Sequence, residues 1–296
     1  MRSTKKVREA IAGYLFTSPV TVGILLFTAW PVLQSLYYSF TKFNIIKSPQ
    51  WVGTDNYDKL LHDPEFWQSL KITGIFTGIS VPASLLIGFL LALLLHRNLP
   101  GIGLFRTIFY LPVVVPVVAL GILWKQLYSP TYGFANKLLD MVGLPPYSWF
   151  SHPESVMPSL IIMGLWQAGG SMIIWLAGFQ GIPAPLYEAA IVDGASRMRR
   201  FWTITIPMIT PVIFFNLIMG FIGSFQVFGQ VMATTAGGPL NASNFLMVMI
   251  YKKAFRTLEM GYASSLAWVL FVIVLLLTAF IFRTSRSWVH YEGEVR

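Results

Sequence analysis

Runs of roughly twenty apolar residues without a charged side chain recur along this chain, and at about 1.5 Å of rise per residue each can cross about 30 Å of hydrocarbon as a helix. Six such runs stand out, at 11–38, 71–95, 105–124, 157–179, 204–232 and 262–282. Composition agrees: 55% of residues are hydrophobic and 11% charged, against about 25% charged in soluble domains. Mean hydropathy is +0.64. The expected fold is all-α and polytopic, about six transmembrane helices in one membrane domain over 11–283, with tails at 1–10 and 284–296. The first run follows Arg2, Lys5, Lys6 and Arg8 as in a signal peptide, yet it is longer than a signal's apolar core and lacks a small-x-small cleavage site. It reads as a retained helix.

The net charge of +9 is placed mostly in short loops. With the N-terminus in the cytoplasm, the inner segments hold Arg97 and Arg106, then Arg197, Arg199 and Arg200, then Arg283, Arg286 and Arg296, with few acids. The outer segments mix Lys42, Lys47 and Lys59 with Asp55, Asp58, Asp63 and Glu65. The positive-inside rule thus puts both termini in the cytoplasm and accounts for the basic charge without nucleic acid. Lys252, Lys253 and Arg256 fall outside in this arrangement, against the rule; they face either a partner's carboxylates or solvent.

Several chemistries are excluded. There is no cysteine, and His62, His96, His152 and His290 are too far apart in sequence to suggest a metal cluster, so no metal or cofactor is expected. The spans hold no Asp, Glu, Lys, Arg or His away from their borders, where Lys71 sits. Proton-driven carriers and intramembrane enzymes need such groups. The polar groups inside are neutral: Gln167 and Ser171 in the fourth run, Asn216, Ser224, Gln226 and Gln230 in the fifth, with Trp166 and Trp175 nearby. Amides, hydroxyls and aromatic faces suit a polyhydroxyl solute. They equally suit hydrogen bonds between helices.

Between the fourth and fifth runs, the loop 180–207 reads as a short helix, a turn and a second helix. Pro185 fits a first helical turn, Glu188 would complement the positive end of the helix dipole, and Ala189 with Ala190 favour helix while leaving a low surface. Gly194 after Asp193 is a natural stop, and Pro207 marks the start of the fifth run. Such an elbow could seat in another protein's cleft or be a plain surface loop with a topogenic arginine cluster.

Glu188-Ala189-Ala190, then Asp193-Gly194-Ala195, then Ile204-Thr-Ile-Pro207 resembles the EAA motif of ABC-importer permeases, with Ile206 where leucine is usual. Trp51-Val-Gly-Thr-Asp-Asn-Tyr57, Phe105-Arg-Thr-Ile-Phe-Tyr-Leu-Pro112, Thr235-Ala-Gly-Gly-Pro239 and Gly261-Tyr-Ala263 extend the resemblance to carbohydrate permeases of the maltose-transporter type, in the branch similar to the larger maltose permease and the first glycerol-phosphate permease. The resemblance implies a type I importer permease fold and a path for a sugar, oligosaccharide or related polyol. It implies as partners a sister permease, two copies of an ATP-binding subunit and an extracytoplasmic solute-binding protein, and it makes the loop the coupling element docked on the ATPase. It also points to Trp166, Gln167, Gly170, Gly220, Gly223, Ser224 and Val227 as the solute path. The chain has no Gly-x-x-x-x-Gly-Lys-Ser/Thr phosphate loop, so ATP hydrolysis is assigned to the partner and not to this chain. A self-contained carrier or channel for a neutral solute is the competing reading.

Overall fold

The computed structural model describes residues 2–97 and 99–290. The end of the expected C-terminal tail from 291, Arg296 included, lies outside them, as do the side chains of residues 2–8, among them Arg2, Lys5, Lys6 and Arg8. Among the described residues the fold is all-α apart from one two-residue ladder. In chain order the helices are α1 (Arg2–Ile24), α2 (Trp30–Ser39), α3 (Asp55–His62), α4 (Pro64–Leu95), α5 (Ile102–Val114), α6 (Val117–Leu127), α7 (Phe134–Met141) and α8 (Pro153–Leu165). There follow α9 (Gly169–Gln180), α10 (Ala184–Val192), α11 (Arg197–Arg200), α12 (Ile206–Met208), α13 (Thr210–Phe225), α14 (Gly229–Thr234), α15 (Leu246–Tyr251) and α16 (Met260–Ser285). Three helices are long and apolar enough to span alone, Glu9–Ser39, Pro64–Leu95 and Met260–Ser285; three bent pairs bring the total to six among the described residues.

Two compact units divide the chain. The first comprises 1–63 and 250–269. In it α1 runs through a π turn at Leu25–Ala29 into α2, and none of the apolar window of this long helix is buried. The chain then turns through the ladder β1 (Thr41–Lys42) and β2 (Gln50–Trp51), paired antiparallel with Thr41 opposite Trp51. Asn56 of α3 donates to the carbonyls of Ser39 (2.8 Å) and Thr41 (2.9 Å), pinning helix to hairpin. Lys59 lies 3.1 Å from Glu259 and 4.3 Å above the Tyr262 ring, and Tyr262 donates to Asp63 at 2.6 Å.

The second unit comprises 64–249 and 270–296 and carries the broken spans. The run 105–124 is not one straight helix: α5 and α6 meet at 98°. Val115 precedes Pro116, whose ring disfavours the helical region for the residue before it, and Val115 is extended (φ −68°, ψ 125°). The 43° bend between α8 and α9 falls at Trp166–Ala168, beside Gly164, Gly169 and Gly170. Its amides turn to tighter i→i+3 bonds there, Gln167 N–H to Gly164 O and Ala168 N–H to Leu165 O, both 3.0 Å. The run 204–232 is likewise interrupted, since α13 stops at Phe225 and α14 begins at Gly229. α14 packs on α6 through small residues: a Cβ at Gly229 would stand 3.0 Å from Val117, and one at Gly121 would collide with the Ala233 methyl.

Capping of α4 is explicit. Arg106 donates from Nη2 (2.7 Å) and Nε (3.2 Å) to the carbonyl of Leu95, one of the acceptors a helix end leaves without a partner. Beside it, Ala92, Leu95, Met172, Trp175, Leu176, Phe179, Ile182 and Ile209 form a buried core joining α4, α9 and the start of α13. At the outer end of α4 in the expected topology, Asn244 donates to Glu65 (3.0 Å) and Ser69 (3.2 Å), and Thr73 Oγ1 accepts from the Leu246 amide at 3.0 Å.

Candidate translocation path and coupling elbow

The elbow is built as helix, stop, helix. Pro183 is extended (φ −61°, ψ 126°) and opens α10, with Pro185 in the first turn, where its missing N–H costs no hydrogen bond. At the other end Gly194 takes φ +74°, its amide donates to Ile191 O at 3.0 Å, and the Ala195 amide reaches back to Ala190 O at 2.9 Å. These are the two bonds of a Schellman stop, which requires a left-handed residue at the Gly194 position. Glu188 is the fifth residue of α10, beyond the first turn, so the expected dipole role is not realised; that effect fades within one turn. Ser196 then caps α11, its Oγ accepting from the Arg199 amide at 3.3 Å. Pro207 is the second residue of α12, a position that accepts proline, and follows a π turn at Phe201–Thr205.

The elbow is tethered on one side and bare on the other. Tyr187 Oη lies 2.8 Å from Thr205 Oγ1, and Tyr187, Ile204, Ile206 and Met208 pack on the α4–α9 core. No residue of α10 is buried, and Val192 (88% exposed), Ile191 (56%) and Met198 (66%) present apolar surface beside Arg197 and Arg199. Glu188, Ala189, Asp193 and Gly194 are exposed, and Ala190 and Ala195 half-buried.

A second feature lies between α4, the α8–α9 bend and α13: a cavity of about 330 Å³. Gln167, Ser171, Asn216, Ser224 and Gln230 line it with Ser80 and Ser84 of α4, and no charged residue does. Small residues let α4 approach α9 and α13 closely around it. A Cβ at Gly220 would stand 3.0 Å from Val81, and one at Gly88 would strike the Ser171 hydroxyl. Gln167 Nε2 donates to the Pro112 carbonyl at 3.4 Å. That carbonyl lacks the usual donor four residues on, because Pro116 has no N–H. Asn216 donates to Val212 O (3.0 Å) and Ser224 to Phe221 O (3.0 Å), so each keeps polar capacity for a guest.

The profile of the family described as binding-protein-dependent transport system inner membrane component matches residues 84–286, a stretch that holds both the elbow and most of the cavity wall. The chain belongs to this family. It is 40% identical over 300 residues to the probable ABC transporter permease protein YesP of Bacillus subtilis, covering 99% of this chain and 97% of that one. It is 33% identical to the trehalose/maltose transport system permease protein MalF of Thermococcus litoralis, covering 97% of both. A chain in the crystal structure of a bacterial alginate ABC transporter in complex with an alginate pentasaccharide-bound periplasmic protein superposes with TM-score 0.86 at 24% identity, over 97% of this chain and 98% of that one. This chain is thus a multi-pass permease subunit of an ABC importer.

Within the permease, Gln167, Gly220, Gly223, Ser224 and Val227 line one cavity. Trp166 and Gly170 do not: Trp166 is 41% exposed and sits 5.8 Å edge-on to Trp124, while Gly170 faces Val113 at 3.6 Å from a Cβ. Trp175, named beside the polar path, is core, edge-on to Phe89 at 5.2 Å. Ser80, Ser84 and Val81 of α4 were absent from the sequence reading of the path. Thr73, Thr77, Ser80 and Ser84, three and four residues apart in an otherwise apolar run, are the signal that marks this helix face.

Proposed function

We propose that this permease forms, with a sister permease, the membrane path for a neutral sugar, oligosaccharide or related polyol, received from an extracytoplasmic solute-binding protein and moved by a separate ATPase dimer that grips the elbow 180–207. The observation that carries the solute class is the cavity itself, whose apolar walls carry amides and hydroxyls at Ser80, Ser84, Gln167, Ser171, Asn216, Ser224 and Gln230 and no charged group. A neutral polyol loses water there against partners that can replace its hydrogen bonds, whereas an ion would lose hydration with no countercharge. The sugar-transport names of MalF and of the lactose permease LacF of Rhizobium radiobacter, 36% identical over 97% of this chain, support the same class. The exposed, Schellman-closed elbow supports the coupling role, and both termini are assigned to the cytoplasm by the arginines of the inner segments. The test is uptake by cells carrying the complete transporter, with Gln167→Leu and Asn216→Leu as variants and unlabelled competitors of each class. Saccharides should compete and both variants should slow uptake about fivefold or more, as for a lost hydrogen bond of about 1 kcal/mol. Competition by amino acids or inorganic ions, with saccharides inert, would refute the reading.

A further inference from the structure

The first unit holds a cavity of about 630 Å³ that takes no part in the path described above. Its walls come from 41–59, the stretch that follows α2, and from 257–262, the stretch that enters α16. Both helices belong to membrane spans, and Trp268 Nε1 of α16 donates to Ser35 Oγ of α2 at 3.1 Å, so the two run side by side. The cavity therefore lies just beyond the apolar layer, at the depth of lipid headgroups. Aromatic rings mark the same level. Trp51 is 64% exposed, stacks on Phe40 at 5.6 Å and lies 6.0 Å from Tyr37, and such rings gather where membrane meets water.

Its walls are fixed by hydrogen bonds. Asn56 pins α3 to the chain after α2, as described above, and Tyr57 Oη donates to Ser39 Oγ at 2.8 Å. On the other side the Gly261 amide donates to Phe43 O at 3.1 Å, and a Cβ at Gly261 would run into the Thr41 carbonyl. Only glycine lets α16 begin this close to the hairpin. These contacts give a structural reason for 51–57 and 261–263, two stretches of the sequence that neither the elbow nor the path uses.

The lining is positive. Lys42, Lys47 and Lys59 stand against Asp55 and Glu259. Lys59 is committed to Glu259, whereas Lys42 and Lys47 are exposed and in no ion pair among the described residues. Lys253, one of the three basic residues at odds with the positive-inside rule, stands 5.9 Å over the Tyr262 ring of the same lining and adds to the positive field. Between Asn44 and Lys47 the chain turns Ile45 and Ile46 outward, Ile46 to 78% exposure. The Lys47 amide donates to Asn44 Oδ1 (3.0 Å) across this turn, and Ile45 takes φ +67°, a conformation that is costly for a β-branched residue. An apolar tip flanked by ammonium groups matches the boundary between acyl chains and phosphates. A neutral solute would use neither the charge nor the tip.

We infer that this cavity binds the headgroup of an anionic glycerophospholipid of the phosphatidylglycerol kind. Its phosphate pairs with Lys42 and Lys47, its headgroup hydroxyls exchange hydrogen bonds with Ser48, Gln50 and Asp55, and its acyl chains lie on the membrane side beside Ile45 and Ile46. Neither the solute class nor the side of the membrane enters this assignment, since each leaflet offers phosphate at the end of a span.

The test is native mass spectrometry of the full chain, purified alone and within the assembled transporter, after exchange of co-purified lipid for phosphatidylglycerol, phosphatidylcholine or diacylglycerol with matched acyl chains. Phosphatidylglycerol should be held most tightly, and diacylglycerol, which lacks the phosphate, least. Lys42→Gln and Lys47→Gln should each weaken phosphatidylglycerol about fivefold, the equivalent of about 1 kcal/mol for one lysine near a membrane surface. Both side chains are exposed and in no ion pair among the described residues, so the fold should be kept. Lys137→Gln, an equal loss of charge from an exposed position on α7, should bind like the parent. The inference is overturned if the Lys42→Gln, Lys47→Gln double variant holds the lipid like the parent, if Lys137→Gln weakens it equally, or if phosphatidylcholine or diacylglycerol binds as tightly. Displacement of the lipid by an equal concentration of glycerophosphoglycerol, which has no acyl chains, overturns it by making the ligand a free phosphate ester. Retention by the lone chain but not by the assembled transporter overturns it as well, because a protein partner then covers the cavity.

Discussion

Replacing Gly194 with valine isolates backbone conformation from packing. A Cβ at Gly194 would meet nothing within 4 Å, so the substitution creates no clash inside the chain. Its φ of +74° is the obstacle. A left-handed residue with a Cβ costs about 1–2 kcal/mol, with β-branched residues the least tolerant. Escaping that strain would break the Gly194–Ile191 and Ala195–Ala190 bonds, worth about 1 kcal/mol each. The two costs are close, so the elbow should divide between a strained stop and a frayed one, and the closed form should be depleted about tenfold for each 1.4 kcal/mol lost. ATP-driven uptake by reconstituted complexes should fall in the order Gly, Asn, Ala, Val, because asparagine tolerates the left-handed region better than alanine despite its larger size. The fold of the subunit itself should be unchanged, since no residue of α10 is buried in it. Wild-type uptake by Gly194→Val, or worse uptake by Gly194→Asn than by Gly194→Ala, would refute the reasoning; the second result would put side-chain size ahead of backbone strain.

Further substitutions probe the scaffold. Arg106→Met removes two charge-assisted donors from the Leu95 carbonyl and should lower subunit stability by about 1.5–3 kcal/mol, read as a fall in unfolding midpoint in detergent. Gly121→Val drives a side chain into Ala233 and should cost about 1–3 kcal/mol by overpacking of α6 on α14, with Gly121→Ala milder in the same assay. Thr210→Val deletes a hydroxyl that donates to Pro207 O (2.7 Å) and accepts from the His290 amide (2.9 Å). Pro211 has no N–H to offer that carbonyl, so the variant should expose the 288–290 segment to faster amide exchange and destabilise the subunit by about 1–3 kcal/mol.

The elbow was legible in the sequence because its determinants are local. Pro185 and Gly194 act through their own backbone, and the structure places them in the first turn and at the left-handed stop. Glu188 was misread because the motif does not reveal that the helix begins as early as Ala184. The broken spans were only half legible. Pro82 lies within α4, one of the three unbroken spans, whereas Pro116 turns the chain by 98°. The difference is in the preceding residue, Val81 within the helix and Val115 extended, which the sequence of each run does not announce. The cavity was legible in its amides, Gln167 and Asn216, but not in its space. α4 closes on its neighbours around it where Gly220 lies opposite Val81 and Gly88 opposite Ser171, pairings between distant segments that periodicity in a single run does not encode.

The central claim is that this subunit supplies a path and an elbow but no fuel. The direct measurement is solute accumulation in sealed proteoliposomes, comparing this chain alone with the same chain assembled with the sister permease, ATPase and binding protein proposed above. The assembled transporter should concentrate saccharide when ATP is present, and the lone chain should give no uphill accumulation under any ion gradient. Accumulation by the lone chain against its gradient would contradict the account.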